Sequence, residues 1–119
     1  MAKQHQKLLD DLAQSFQIPV FVDEIAPDER PTDNHYFLIV YGDMNGSNEG
    51  QMYQEVFVVY ITEKNPAVEE NTVDIISTVS KLPGFSFDRT VKERFRQDET
   101  ENYIDQVTII FQRLLKYEY

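Results

Sequence analysis

Tyr53-Gln54-Glu55-Val56-Phe57-Val58-Val59-Tyr60-Ile61-Thr62 is the stretch on which the reading of this chain turns. Side chains of an extended strand alternate between two faces, so Phe57, Val59 and Ile61 share one side and Val56, Val58 and Tyr60 the other. Both rows are apolar. A strand with one solvated face alternates apolar with polar, so this one belongs at the centre of a sheet or under cover on both sides.

Downstream the period changes from two to about 3.6. Asn65 is suited to an N-cap, Pro66 to the first helical position, and Glu69 and Glu70 to the positive end of a helix dipole. Val68, Thr72, Ile75, Val79 and Leu82 form one apolar stripe with Ile76 beside it, and Pro83-Gly84 stops the helix. The expected unit is a sheet with this long helix laid across one face.

Upstream, residues 3 to 17 read as a short amphipathic helix. Leu8, Leu12 and Phe16 lie inward, and Ile18-Pro19 ends the helix. A short strand at Val20 to Asp23 is placed at an edge by the proline that introduces it. Residues 24 to 34 form a connector with Pro27 and Pro31, where Glu24, Asp28, Glu29 and Asp33 outnumber Arg30. A connector this long is either a solvated link or a binding loop. Tyr36 to Tyr41 is again apolar on both faces. Gly42 to Met52 is a polar tip in which Asn45-Gly46 favours a turn of positive φ, so the flanking strands form a long hairpin.

Beyond Gly84 a strand is expected from Thr90 to Gln97, separating Val91, Glu93 and Phe95 from the basic row Lys92, Arg94 and Arg96. An acidic turn (Asp98 to Asn102) leads to a last strand from Tyr103 to about Leu115. The order is α-β-β-β-α-β-β. That order predicts an α+β fold with a mostly antiparallel sheet rather than a doubly wound one.

The chain has 119 residues, enough for one domain (1–119) that buries roughly two-thirds of its unfolded surface. It has no cysteine, which excludes disulfides and thiolate chemistry. No apolar run approaches the ~20 residues of a membrane span, and the first residues lack a signal core, so a soluble cytosolic protein is expected. The formal charge of −10 opposes tight binding to nucleic-acid phosphates or anionic membranes.

Catalytic patterns are lacking. His5 sits in an N-terminal turn expected to fray and His35 just before a strand, without metal-ligand spacing between them. The four glycines match no phosphate-binding loop, and Asp43 to Glu49 misses the glycine and glutamate of a calcium loop. No catalytic residue, metal or cofactor is expected. What the sequence offers is surface. Aromatic residues make up 13% of the chain, with Tyr117 and Tyr119 beyond the expected core. Lys92, Arg94 and Arg96 either pair with carboxylates nearby or meet the acidic loop of a neighbouring copy, as a ring allows.

The N-terminal helix followed by Ile18-Pro19-Val20-Phe21-Val22-Asp23, the acidic proline-containing loop leading into Phe37-Leu38-Ile39-Val40-Tyr41-Gly42, Val56 to Ile61, the helix ending in Leu82-Pro83-Gly84 and the final Val107-Thr108-Ile109-Ile110-Phe111 together resemble the tail terminator proteins of long-tailed bacteriophages. These are also known as minor capsid, tail completion or head–tail joining proteins. The likeness is one of element order and texture over nearly the whole chain.

It implies a structural, non-enzymatic subunit of the virion. Copies form a ring, commonly a hexamer, that ends tail-tube polymerisation and meets the head-completion protein. DNA passes through unread. The site would be the head-proximal end of the tail, reached after assembly in the host cytoplasm. The expected contacts are the loop with Asp28, Glu29 and Asp33, the tip from Asp43 and Met44 to Met52, the basic row Lys92, Arg94 and Arg96, and Tyr117 and Tyr119. The other reading is a small α+β module binding a ligand in a pocket between helix and sheet. A carboxylate hydrolase would need two buried acids a few ångströms apart.

Overall fold

The computed structural model describes residues 2–23, 34–46, 51–96 and 103–115, with side chains from Gln4 onward. In chain order the elements are α1 (Ala2–Phe16), β1 (Val20–Val22), β2 (Tyr36–Gly46), β3 (Met52–Glu63), α2 (Val68–Ser80), β4 (Phe85–Arg96) and β5 (Tyr103–Leu115). The fold is α+β. One five-stranded sheet has the order β1-β2-β3-β5-β4. Only β1 with β2 runs parallel; the other three pairings are antiparallel. The doubly apolar strand β3 takes the centre.

Both helices lie on one face of the sheet, the front. Val56, Val58 and Tyr60 of β3 point toward them, beside Phe37 and Ile39 of β2 and Val107, Ile109 and Phe111 of β5. Leu8 and Leu12 of α1 and Val68, Ile75 and Val79 of α2 close this core. Phe16 meets Phe37 edge-on, with ring centroids 5.6 Å apart. Helix amphipathicity and strand alternation thus agree on one core, which is what makes a sequence specify one arrangement.

The helix lengths reverse the expectation. α1 has 15 residues and α2 only 13. The start of α2 is delayed because Asn65 acts one turn early: its Oδ1 accepts the Ala67 N–H at 2.9 Å, folding Pro66 and Ala67 into a turn. Ala67 is then an N-cap without a capping side chain. The end is as expected. The Leu82 N–H bonds the Val79 carbonyl, and Gly84 takes φ +88°, the left-handed conformation that glycine adopts freely.

Two strands are longer than expected. β4 begins at Phe85 rather than Thr90, its pairing with β5 shifting between Phe87 and Arg89 so that Asp88 forms a bulge. β2 runs on through Asn45 and Gly46, which pair with Tyr53 and Met52, so this dipeptide is part of the hairpin ladder and not its turn. The ladder also slips between Tyr41 and Met44.

Strand and helix lengths then fix the shape. A 13-residue strand spans ~43 Å and the 13-residue α2 ~20 Å, so β5 is about twice as long as the helix that packs on the sheet. The molecule measures 53 × 28 × 23 Å, and its radius of gyration is 15.4 Å against about 13.5 Å for a compact chain of this length.

Candidate assembly surface

The sheet has a second face, the back, and no helix of the described residues lies on it. Tyr36, Leu38 and Val40 of β2 stand there beside Phe57, Val59 and Ile61 of β3. β5 continues the row with Ile110 opposite Phe57 and Thr108 opposite Val59. At the sheet's far side Val91 and Phe95 of β4 are 45% and 50% exposed. At its near side Phe21 of β1 packs edge-on against Tyr36 at 5.9 Å. The apolar part of this face lies on β1, β2 and β3, half-buried; on β5 and β4 it is interrupted by Gln106 and Thr108 and by Arg89 and Glu93, and Ile110 is only 3% exposed.

β4 is the second component. It is the last strand of the sheet, and every residue after Phe85 is exposed. An edge strand of 12 residues presents a row of backbone groups ready to pair with another strand. Its front row carries the cations. Lys92 Nζ lies 2.9 Å from Glu69 on α2, both groups well exposed. Arg94 makes two bonds to Asp105 on β5, from Nε at 2.7 Å and Nη2 at 3.1 Å, and its guanidinium stands 4.3 Å over the Tyr103 ring. The hydrogen bond to Asp105 raises the Arg94 pKa further above its ordinary value. Arg96 follows in the same row at the strand's end, opposite Tyr103. The pairing with nearby carboxylates therefore accounts for Lys92 and Arg94.

The expected contact residues that the structure describes lie toward two ends of the sheet. Asp43 and Met44 are exposed near the hairpin end, and Met52 is half-buried between Gly46 and Leu115. Along β5, that end lies ~33 Å from Tyr103 and Arg96. Asp28, Glu29, Asp33, Tyr117 and Tyr119 lie outside the described residues.

A buried polar cluster went unforeseen. Arg113, 4% exposed, gives Nε and Nη2 to Gln54 Oε1 at 3.0 and 2.6 Å and stacks 4.2 Å over the Tyr41 ring. Gln54 passes its amide to the Gly42 carbonyl at 3.2 Å. His5 Nδ1 shares a hydrogen bond with the Tyr41 hydroxyl, so the first turn of α1 is tied to the sheet instead of frayed. Burial raises the Tyr41 pKa, Arg113 opposing and Asp23 adding to the shift, while burial lowers that of Arg113. Strict alternation could have revealed the cluster: Gln54 shares a row with Val56 and Val58, and Arg113 with Ile109 and Phe111. His35 is at the other end of the sheet, 2.9 Å from Thr62 Oγ1, so the two histidines share no site.

A half-open cleft of about 230 Å³ lies between α1 and the α2–β4 junction, lined by Gln4, Lys7, Leu82, Pro83 and Phe85. Its amide is already committed, since Gln4 Nε2 donates to the Pro83 and Leu114 carbonyls at 3.4 Å. Asp105 is the one buried carboxylate among the described residues. No described helix is long and apolar enough to cross a membrane. No protein-family model matches the sequence, and no curated protein matches it.

Proposed function

We propose that this protein is a structural assembly subunit whose copies form a ring on the tail tube of a long-tailed bacteriophage, ending tube polymerisation and seating the head-completion protein. The observation that carries the reading is the half-buried apolar back face of β1, β2 and β3, together with the exposed edge strand β4 and its Val91 and Phe95. Such a face in a strongly acidic, highly charged chain is best explained as surface buried against other protein. The tail-terminator resemblance supplies the particular assembly. On this reading the subunit performs no covalent chemistry, works at the head-proximal end of the tail, and lets DNA pass without reading it. A ligand-binding module would depend on the cleft beside α1, whose two polar lining side chains already have partners: Gln4 on the Pro83 and Leu114 carbonyls and Lys7 with Asp11 at 3.7 Å.

Electron microscopy of the purified protein, alone and mixed with tail tubes, tests the proposal. Rings, or caps on tube ends that stop further growth, are the expected result. A subunit that stays solitary and ignores the tubes overturns it.

A further inference from the structure

β4 is 12 residues long, and every residue from Ser86 to Arg96 is exposed. Among the described residues only β5 pairs with it, so its outer side carries a free row of backbone donors and acceptors. The bulge at Asp88 divides the strand. From Arg89 onward the pairing with β5 is regular, with Arg89, Val91, Glu93 and Phe95 on the back and Thr90, Lys92, Arg94 and Arg96 on the front. A strand that pairs antiparallel with a copy of itself must be complementary about its own centre. Arg89-Thr90-Val91-Lys92-Glu93 is, with a cation two places before Val91 and an anion two places after it.

We propose, as a step beyond the assembly reading and standing on β4 alone, that two copies of the free protein pair through β4 across a two-fold axis at Val91. The axis is normal to the sheet, so the two five-stranded sheets become one with both back faces on the same side. Val91 then meets Val91, Arg89 of each copy meets Glu93 of the other, and Thr90 meets Lys92. Toward the bulge Asp88 comes beside Arg94.

The register follows from charge. Faces match only when the axis passes through a residue, which leaves few choices. On Thr90 it would set Arg89 against Val91 and carry Glu93 past the regular ladder to Phe87. On Lys92 it would set that lysine against itself and Glu93 against Val91. On Glu93 it would oppose the two glutamates and put Lys92 on Arg94. Like charges directly opposite are destabilising, and Val91 alone joins opposite charges in the regular segment without opposing like ones.

Both charges are available. Glu93 has no hydrogen bond or ion pair among the described residues. Arg89 holds Asp88 through Nη1 at 2.6 Å and leaves 59% of its side chain in solvent. An isologous contact closes on two copies and does not run round a ring, so the pair is the state of the free protein, its edge covered before assembly.

Charge reversal tests the pairing, because the Arg89–Glu93 contact occurs twice. Sedimentation of the full chain should show a dimer. Arg89→Glu and Glu93→Arg should each weaken it by roughly tenfold, since either change sets like charges opposite. Mixed together, the two variants should form a heterodimer, and the double variant Arg89→Glu/Glu93→Arg should pair with itself again. Single cysteines read the register in a chain that has none. Oxidised Val91→Cys should give more disulfide dimer than Thr90→Cys, Lys92→Cys or Glu93→Cys, because only residue 91 faces its own copy. A monomer at every concentration, no recovery on mixing, or a cross-linking maximum elsewhere overturns the pairing. A solitary protein that still caps tubes would refute the pair and spare the tail reading. A dimer with these signatures that ignores tubes would refute the tail reading and spare the pair.

Discussion

Arg113 is buried because its neighbours on β5 are. A strand that commits Val107, Ile109 and Phe111 to the core commits residue 113 as well, and the guanidinium must find partners there. It finds Gln54 and the face of Tyr41, neither of them charged. The position was legible in the alternation, whereas the partners were not, because pairing Gln54 with Arg113 depends on a register between strands 59 residues apart. Tyr41 supplies a pH test. Its raised pKa means that folded and unfolded chains both keep the phenol proton below pH 10. As pH rises past 10 the unfolded chain loses it first, and stability declines until the folded value is passed. Tyr41→Phe should flatten this alkaline fall in urea titrations at successive pH, while costing about 1 kcal/mol at neutral pH for the lost His5 bond.

Asp105 permits a second residue-scale prediction. Its carboxylate is fully buried, and Arg94, whose side chain is 41% exposed, is its cation. Arg94→Ala should destabilise more than any other substitution in the basic row, because the buried Asp105 carboxylate loses the partner that hydrogen-bonds it, and adding Asp105→Asn should recover part of the loss. Lys92→Ala, breaking the exposed contact with Glu69, should cost under ~1 kcal/mol. Chemical unfolding of the variants measures the contrast.

Among the elements, the period-two and 3.6 patterns placed all five strands and both helices in order. Boundaries fared worse where local signals competed with pairing. Asn45-Gly46 has turn chemistry, yet the ladder with Tyr53 and Met52 holds it extended. Phe85 and Phe87 lacked a continuous strand pattern because the bulge at Asp88 shifts the alternation by one. The stop after α2 was readable, since Pro83-Gly84 is strong punctuation. Gly84 also carries a packing constraint: a Cβ there would lie 2.6 Å from Gln4 Nε2, on top of the left-handed φ. Gly84→Ala should therefore lower stability by about 1–2 kcal/mol and shift the thermal midpoint down by several degrees. Val73→Ala, on the 63% exposed face of α2, should leave it within ~0.5 kcal/mol.

For the whole molecule, the mismatch between the ~20 Å α2 and the ~43 Å β5 decides what is left for partners. The sequence announced both apolar rows of β3. It held no signal that both helices would choose the same row, since either face could have received them. Among the described residues, the expected contacts Asp43, Met44 and Met52 lie at one end of the sheet and Arg94 and Arg96 at the other, for the same reason: composition carries no map. Val91→Thr/Phe95→Thr should leave the unfolding free energy within ~0.5 kcal/mol while weakening self-association in sedimentation runs. A matched loss of stability would show instead that these side chains serve the subunit's own fold.

The place of β5 in the sheet bears on how the molecule is made. It follows the other four described strands in the chain, yet it is inserted between β3 and β4, bonded to both along nearly its full length. β2 and β3 can zip together early as neighbours in sequence, but β4 has no strand to hold until the 13 residues of β5 arrive. Synthesis therefore passes through a stage in which an apolar half-sheet and a detached ribbon coexist, a state exposed to proteases and chaperones. Completion comes as a single late closure.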